Sequence, residues 1–242
     1  MSADLADRLA ALRERAEAVI ARLSTNPPAR PLFVEFSGSP KSGKSTCIET
    51  VAHFFRRLKF KVLAPSEGAS KRTPYYLKDD IVAFNTWSAS YALGHILEGL
   101  YHSDRYHLAI LDRGLFDALV WFELMAVQGN ISRETCTTVH NFLLVEKWRA
   151  ATDAVFLFKA DAATSMEREN KDKLIAEPGR AMNPEFLKPL NEAYDRVKAQ
   201  YAAQFPKVEV IDTGRDAGTT PQSTAAGVTA TILELLERQT RA

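Results

Sequence analysis

The sequence has no long apolar run and almost no net charge. Its 31 Lys and Arg residues nearly balance its 30 Asp and Glu residues, so the formal net charge is +1 at pH 7. A balance near zero argues against a protein whose main role is to bind a polyanion, although it leaves room for a local basic pocket. No stretch reaches the ~20 apolar residues that a membrane-spanning helix needs. We therefore expect no role at a membrane.

Cysteine is also scarce, since only Cys47 and Cys136 occur and they lie far apart. Neither has the spacing of a metal ligand, so we expect two free thiols in a reducing compartment. The first residues, MSADLADRLAALRERAEAVIARL, mix charges throughout and lack the apolar core of a secretion signal. Both observations favour a cytoplasmic protein.

Residues 2–24 are predicted to form an amphipathic helix. The apolar residues that recur every three or four positions are Leu5, Leu9, Leu12, Val19 and Leu23. The prolines of STNPPARP cannot continue this helix. We therefore divide the chain into an N-terminal helix with the start of a linker, residues 1–26, and a main domain, residues 27–242. The helix either docks on that domain or pairs with a second copy in a homodimer.

Beyond the linker, short β-type runs alternate with longer helical patterns. The predicted strands are 32–36, 60–65, 107–112, 154–159 and 208–212. The predicted helices are 44–58, 79–101, 115–128, 132–149, 162–171, 184–204 and 221–239. This alternation predicts an α/β fold, a five-stranded parallel sheet with helices on both faces. Ligands of such sheets bind at the carboxyl ends of the strands.

The segment GSPKSGKS follows the first predicted strand and has the G-x-x-x-x-G-K-[ST] spacing of a P-loop, or Walker A motif. The residues predicted to bind ATP are Gly38, Ser39, Pro40, Lys41, Ser42, Gly43, Lys44, Ser45 and Thr46. Glycines let the backbone curl so that its N–H groups point at phosphate oxygens, and the following helix adds the positive end of its dipole. Lys44 is expected to reach the β- and γ-phosphates, and Ser45 to bind Mg²⁺.

Charged residues follow two other predicted strands. Asp112 is suited to hold the water shell of Mg²⁺ opposite Ser45, or else to cap the next helix. Arg113 is suited to pair with a carboxylate or with a transferring or accepted phosphate. Glu67 either accepts the proton of an acceptor hydroxyl or is a solvated loop charge. Arg72 either meets the phosphate of an acceptor or stays in solvent.

Two further segments have more than one interpretation. Phe84, Trp87 and Tyr91 recur at helical spacing, which is typical of a core but also of a surface that stacks on the flat base of a substrate. The charged segment around Arg168 is either an exposed helix or the start of a lid, about 162–183, that brings a cation onto the γ-phosphate.

Together these motifs resemble the thymidylate kinase and deoxynucleoside kinase group of P-loop kinases, from Leu32 to about Thr213. The resemblance rests on FVEFSGSPKSGKS with the acidic end of the second strand, on LDRG, on FKADAATSMERE and on VEVIDTGRD. It implies Mg²⁺-dependent transfer of the γ-phosphate of ATP to a small-molecule acceptor, a nucleoside or a thymidylate-like nucleoside monophosphate. The predicted catalytic residues are Lys44, Asp112, Arg113, Glu67 and Arg168.

Two alternatives stay open from the residues alone. A P-loop kinase of this type can also serve another acceptor, such as a small alcohol or the 5′-hydroxyl of a polynucleotide, so a nucleic acid is not excluded. The other alternative is an ATP-binding regulatory switch that signals to a partner through the N-terminal helix.

Overall fold

The computed structural model describes residues 3–65, 72–172 and 182–241. Its five strands are β1 (Leu32–Gly38), β2 (Val62–Leu63), β3 (Leu108–Asp112), β4 (Thr152–Lys159) and β5 (Val208–Asp212). They form one sheet in the order β2-β3-β1-β4-β5, and every neighbouring pair is parallel. The predicted five-stranded parallel sheet is confirmed.

Helices account for most of the rest of the described chain. They are α1 (Ala3–Thr25), α2 (Lys44–Arg57), α3 (Ile81–Tyr101), α4 (Leu115–Val127), α5 (Arg133–Leu143), α6 (Glu146–Arg149), α7 (Ala162–Asp172), α8 (Pro184–Tyr201) and α9 (Pro221–Gln239). Short 3₁₀ turns lie at Tyr75–Leu77, Ser103–Arg105, Ala202–Gln204 and Arg215–Ala217. No described helix is both long enough and apolar enough to cross a bilayer.

One predicted helix, residues 132–149, is divided into α5 and α6. The break lies at Val145, whose backbone is extended with a ψ of 128°. Two side chains from α6 donate to carbonyl oxygens at the break: Trp148 Nε1 to Phe142 O at 3.0 Å, and Arg149 Nε to Leu144 O at 3.3 Å. Phe142 O also accepts from the backbone N–H of Val145 at 3.2 Å, so side chains and backbone together hold the break, which the apolar periodicity does not reveal.

The central strand β1 contributes side chains to two hydrophobic cores, because successive side chains of a strand point to opposite faces of the sheet. Val34 and Phe36 pack with α1, α2 and α9, whereas Phe33 packs with α3, α4, α5 and α8. All seven residues of β1 are buried, as expected for a parallel strand that is covered on both sides. The predicted helices on both faces are therefore confirmed. Cys47 and Cys136 are both free and buried, one in each core.

Helix α1 belongs to the first of these cores. Its apolar residues Leu12, Ala16, Val19 and Leu23 are at most 3% exposed. The helix packs on α9, and Arg15 Nε lies 2.8 Å from a carboxylate oxygen of Glu237 at that contact. The apolar stripe of α1 is thus docked on its own chain.

The parallel register brings the carboxyl ends of four strands to one rim of the sheet. Phe36 pairs with Asp112 across β1 and β3, and Gly38 pairs with Phe158 across β1 and β4. Lys159 pairs with Asp212 across β4 and β5. The segments that the sequence marks as functional follow these strand ends, so the rim is where the candidate site is built.

Candidate active site

The loop between β1 and α2, which the sequence predicts to bind phosphate, contains several residues with positive φ. Gly38 has a φ of +136°, and a Cβ at this position would lie 2.1 Å from the carbonyl oxygen of Phe158. Only glycine fits here, because both the conformation and the space exclude a side chain. Lys41 and Gly43 also have positive φ, 56° and 90°. Left-handed residues of this kind curl the chain into the concave backbone that binds anions.

The ammonium group of Lys44 is held by the backbone of this loop. Lys44 is only 6% exposed, and its Nζ donates to the carbonyl oxygens of Gly38 at 2.8 Å and Ser39 at 2.9 Å. Both contacts hold the ammonium group across the curl of the loop. A phosphate bound in the curl would therefore meet a cation that is already in position.

Two features of the loop fit a bound phosphate. The Ser39 Oγ is buried and has no hydrogen-bond partner among the described residues. Helix α2 begins without a side-chain cap on its first amides and without an acidic residue in its first turn. A buried hydroxyl and an uncapped helix N-terminus are both satisfied by an anion. Ser45 and Thr46, in that first turn, are exposed and accessible to a ligand.

The predicted metal residues come from neighbouring elements. Asp112 is the last residue of β3 and pairs in register with Phe36 of β1, just before the loop that leads to Ser45. Among the described residues no group of three His, Cys, Asp or Glu side chains is arranged to hold a metal ion. One hydroxyl and one carboxylate suit Mg²⁺, which keeps most of its waters and takes phosphate oxygens as ligands.

Arg113 stands at the start of a strained turn. Its φ is +66°, and its backbone N–H donates to Phe36 O at 3.0 Å. A left-handed conformation is uncommon for a residue with a Cβ and is tolerated where the surrounding contacts fix it. This turn carries the Arg113 side chain from the end of β3 toward the first turn of α4.

The carboxylate of Asp117 links Arg113 to the P-loop. Asp117 is 1% exposed; its Oδ2 accepts from Arg113 Nη1 at 2.7 Å and from Trp121 Nε1 at 2.9 Å. Its Oδ1 accepts from the hydroxyl of Tyr194 at 2.5 Å. The same tyrosine oxygen accepts from the backbone N–H of Gly38 at 3.1 Å. Burial raises the pKa of Tyr194 well above its usual range, so the hydroxyl keeps the proton that it donates.

Glu35 is a buried acidic residue that the sequence reasoning missed. It lies in the middle of β1, is fully buried, and accepts three hydrogen bonds: from Ser37 Oγ at 2.6 Å, Asp117 N at 2.7 Å and Phe116 N at 3.0 Å. The two backbone donors are first-turn amides of α4, so Glu35 caps that helix from a neighbouring strand. Burial raises the pKa of Glu35, and the three hydrogen bonds oppose this shift.

Glu35 also explains the glycine of the LDRG motif. A Cβ at Gly114 would lie 2.6 Å from Glu35 Oε2 and 2.7 Å from its Cδ. The carboxylate thus occupies the space that a larger residue at position 114 would need. A lone glutamate within the apolar run LFVEF was the sequence signal that should have marked this position.

Arg168 on α7 lies against the P-loop. Its Nη1 donates to Lys41 O at 3.0 Å, and its Nη2 donates to Thr213 O, beyond β5, at 2.5 Å. The Thr213 hydroxyl in turn donates to Ser42 O at 2.8 Å. A salt bridge of 3.2 Å joins Lys41 to Glu169. These contacts tie α7, the P-loop and the loop after β5 together, whereas residues 173–181 of the predicted lid lie outside the described residues.

The predicted acceptor side is only partly described. Glu67 lies outside the described residues, and Arg72, the first residue after that gap, is exposed. Phe84, Trp87 and Tyr91 are half-buried on α3, which packs on α4, and the rings of Trp87 and Tyr91 stack at 5.2 Å. These aromatic positions stay a prediction for base binding.

The chain resembles known proteins in structure and not in sequence. No protein-family model and no curated protein matches it. The structure of deoxyadenosine kinase from M. mycoides with bound dATP has a TM-score of 0.57 and 18% identity, covering 83% of this chain and 99% of that chain. With bound dCTP, the same kinase has a TM-score of 0.55 and 19% identity, covering 84% of this chain and 100% of that chain.

The chain therefore shares the fold of this deoxyadenosine kinase. At this identity the similarity concerns the fold, and the roles of individual residues rest on their geometry in this chain.

Proposed function

We propose that the protein is a Mg²⁺-dependent phosphotransferase that moves the γ-phosphate of ATP to a hydroxyl-bearing acceptor, a nucleoside or a nucleoside monophosphate. The observation that carries the proposal is the curled loop after β1, with Lys44 held across its mouth and Arg113 fixed at the neighbouring strand end. The similar structures support it, since they are of a deoxyadenosine kinase with deoxynucleotides bound.

On the donor side, the loop after β1 binds the triphosphate through its free backbone N–H groups and through the N-terminus of α2, and Lys44 neutralises charge on the terminal phosphates. Ser45 and Asp112 would hold Mg²⁺, which supplies further neutralisation of phosphate charge. Arg168 lies beside the loop and is the candidate for a second cation at the γ-phosphate.

On the acceptor side, Arg113 positions the acceptor and Glu67 accepts its proton. The acceptor oxygen forms a bond to the γ-phosphorus while the bond from that phosphorus to the β,γ-bridging oxygen breaks. The hydroxyl proton passes to the Glu67 carboxylate, and ADP leaves with the electron pair of the broken bond. Positioning and charge stabilisation provide most of the rate enhancement in such transfers. Phe84, Trp87 and Tyr91 are the candidates for contact with the base, and Arg72 for contact with an acceptor phosphate.

The test is an acceptor panel with [γ-³²P]ATP and Mg²⁺. Nucleosides, nucleoside monophosphates, 5′-hydroxyl oligonucleotides and small alcohols would be compared with a reaction that lacks any acceptor. We expect label in a nucleoside or nucleotide product. Label that appears only as free phosphate, whatever acceptor is added, would contradict the proposal and favour a nucleotide-dependent switch. Transfer only to oligonucleotides or small alcohols would redirect it to another acceptor.

The proposed function also defines how we divide the chain into a domain and an N-terminal segment. Residues 27–242 form the kinase domain with a lid at about 162–183, and residues 1–26 form the N-terminal helix and the start of the linker. The helix contributes to the core and to the contact with α9. A homodimer would then be formed through another surface of the protein.

A further inference from the structure

The carboxylate of Asp117 connects the acceptor side of the rim to the donor side. Through Oδ2 it accepts from the guanidinium of Arg113, and through Oδ1 from the hydroxyl of Tyr194. The Tyr194 oxygen accepts from the N–H of Gly38, the first glycine of the P-loop, and that N–H also lies 3.4 Å from Asp117 Oδ1. Three elements, β1, α4 and α8, therefore meet in one hydrogen-bonded group.

Two properties make this group suited to fix positions. Asp117 and Tyr194 are each 1% exposed, so their hydrogen bonds are not exchanged with solvent and are costly to leave unmade. One of the two residues that they hold, Arg113, lies at a strained point of the backbone, since it has a Cβ and a φ of +66°. Removal of the contact from Asp117 would therefore allow this turn to relax, and removal of the Tyr194 hydroxyl would leave the buried N–H of Gly38 without its closest acceptor.

We propose that Asp117 and Tyr194 are positioning residues that set the Arg113 guanidinium and the first amide of the P-loop relative to each other. The inference rests on the proposed function, in which Arg113 serves the acceptor and the loop that begins at Gly38 binds the triphosphate. Neither Asp117 nor Tyr194 needs to touch a substrate. Their effect passes through Gly38 to nucleotide affinity and through Arg113 to turnover of the acceptor.

Helix α8 offers a matched pair of variants for the donor arm. Tyr194→Phe removes the hydroxyl that joins Asp117 to Gly38. Tyr201→Phe removes a hydroxyl from the same helix whose partner is His140 Nδ1 at 3.0 Å. Isothermal titration with Mg·ATP should give a Kd about fivefold weaker for Tyr194→Phe, the value of one hydrogen bond, and a change below about twofold for Tyr201→Phe.

A second pair tests the charge beside Arg113. Asp117→Asn keeps the size of the side chain but leaves the guanidinium without its carboxylate, whereas Asp153→Asn does the same to the Arg30–Asp153 pair at the far end of β1. For the acceptor that the panel identifies, we expect Asp117→Asn to lower kcat/KM about tenfold or more, mainly through kcat. Asp153→Asn should lower the unfolding temperature and leave kcat/KM within about twofold.

The outcomes are separable. Wild-type protein that fails to bind Mg·ATP would refute the proposed function itself. Wild-type protein that binds, together with Tyr194→Phe and Tyr201→Phe variants that bind equally well, would overturn this inference alone. If Tyr194→Phe does not fold, the aspartate pair decides: equal loss of kcat/KM in Asp117→Asn and Asp153→Asn overturns the inference, and selective loss in Asp117→Asn supports it.

Discussion

Each end of β1 carries an arginine–aspartate pair, and the two pairs are built differently. At the amino end, Arg30 contacts Asp153 through two nitrogen–oxygen pairs of 2.7 Å each. Asp153 also accepts from the backbone N–H of Phe33 at 2.9 Å, so the pair joins the chain before β1 to β4. At the carboxyl end, Arg113 Nη1 contacts one oxygen of Asp117, and the other oxygen accepts from Tyr194.

The difference lies in what the carboxylate serves. A bidentate contact holds the planar guanidinium group of one arginine in a fixed orientation. The Arg30–Asp153 pair thus ties the chain before β1 to the start of β4. A carboxylate that is shared between an arginine and a tyrosine fixes two groups relative to each other. The same two residue types thus stabilise the sheet at one end and organise the rim at the other.

Residues other than glycine that have a left-handed backbone are also unequally distributed between the two ends of the sheet. Only three described residues other than glycine have a positive φ: Lys41, Lys59 and Arg113. Lys41 and Arg113 lie at the rim, whereas Lys59 lies in the turn after α2. Unfavourable conformations are concentrated where the phosphates are proposed to bind, as expected when a site is held in place by its surroundings.

Of the variants that test this comparison, Gly38→Ala at the rim should have the largest effect on stability and on nucleotide binding. A Cβ would overlap the Phe158 carbonyl at 2.1 Å and would require a left-handed alanine. We expect a loss of about 3 kcal/mol or more in the free energy of unfolding and loss of Mg·ATP binding. Urea titration and calorimetry measure the two effects.

Gly129→Ala is the control, because Gly129 also has a positive φ, +77°, with nothing within 4 Å of a new Cβ. It should lose about 1–2 kcal/mol in the free energy of unfolding through strain alone and keep its nucleotide affinity. Equal losses in the two alanine variants would show that the contact with β4 is unimportant.

Two lysine variants, Lys44→Ala at the rim and Lys207→Ala at the other end of the sheet, separate effects on activity from effects on stability. Lys44 contacts carbonyl oxygens of the P-loop. Lys207 lies at the opposite end of the sheet, just before β5 begins, and forms a salt bridge of 3.3 Å with Glu209. We expect Lys44→Ala to lower kcat about 100-fold or more, since it removes a preorganised cation. Lys207→Ala should keep full activity. A Lys44→Ala enzyme with the kcat of the wild type would refute the donor site as described.

Glu35 and Gly114 should show strong coupling at the rim. Gly114→Ala places a methyl group 2.6 Å from the Glu35 carboxylate, which is held by three donors, and we expect it to lower the free energy of unfolding by about 2 kcal/mol. In Glu35→Ala the obstacle is absent, so the double variant should be more stable than the sum of the single effects predicts.

A double-mutant cycle by urea denaturation tests this coupling. Gly227→Ala, in the interior of α9, meets only Arg8 Nη2 at 3.6 Å and should be neutral or slightly stabilising. Strict additivity of the Glu35 and Gly114 changes would mean that the proposed steric exclusion is absent.

The smallest effect concerns pH. Burial raises the pKa of Glu35 above the 4.5 that is usual for a glutamate, so the folded protein holds this proton more tightly than the unfolded chain. Its contribution to stability is therefore greatest below about pH 4.5 and declines as the pH rises through the folded pKa. The stability of the wild type relative to Glu35→Gln should fall over this interval in urea titrations at a series of pH values. A difference that does not vary with pH would contradict the raised pKa.

Sequence alone was sufficient for the features that depend on local pattern. The bounds of β5 and α9 agree with those predicted, and the spacing of glycines placed the P-loop directly after β1. Apolar runs and glycine spacing are properties of neighbouring residues, so a single sequence carries them. The divided helix at Val145 was missed because no glycine or proline marks the break in the sequence FLLVEKW.

The network that supports the site was not predictable in the same way. Gly38 is 79 residues from Asp117 and 156 from Tyr194, so only the folded chain brings them together. Asp117 did carry a local signal, since it lies four residues after Arg113 and faces it on the first turn of α4. The tyrosine had none, because a buried aromatic residue in an amphipathic helix is the usual composition of a core.

The guanidinium of Arg168 rests on the carbonyl oxygens of Lys41 and Thr213. A phosphate that reaches this side chain would replace those oxygens and not bulk water. Because Arg168 is half-buried, part of its hydration is already replaced by these oxygens when the chain folds, and that part need not be removed again in each catalytic cycle.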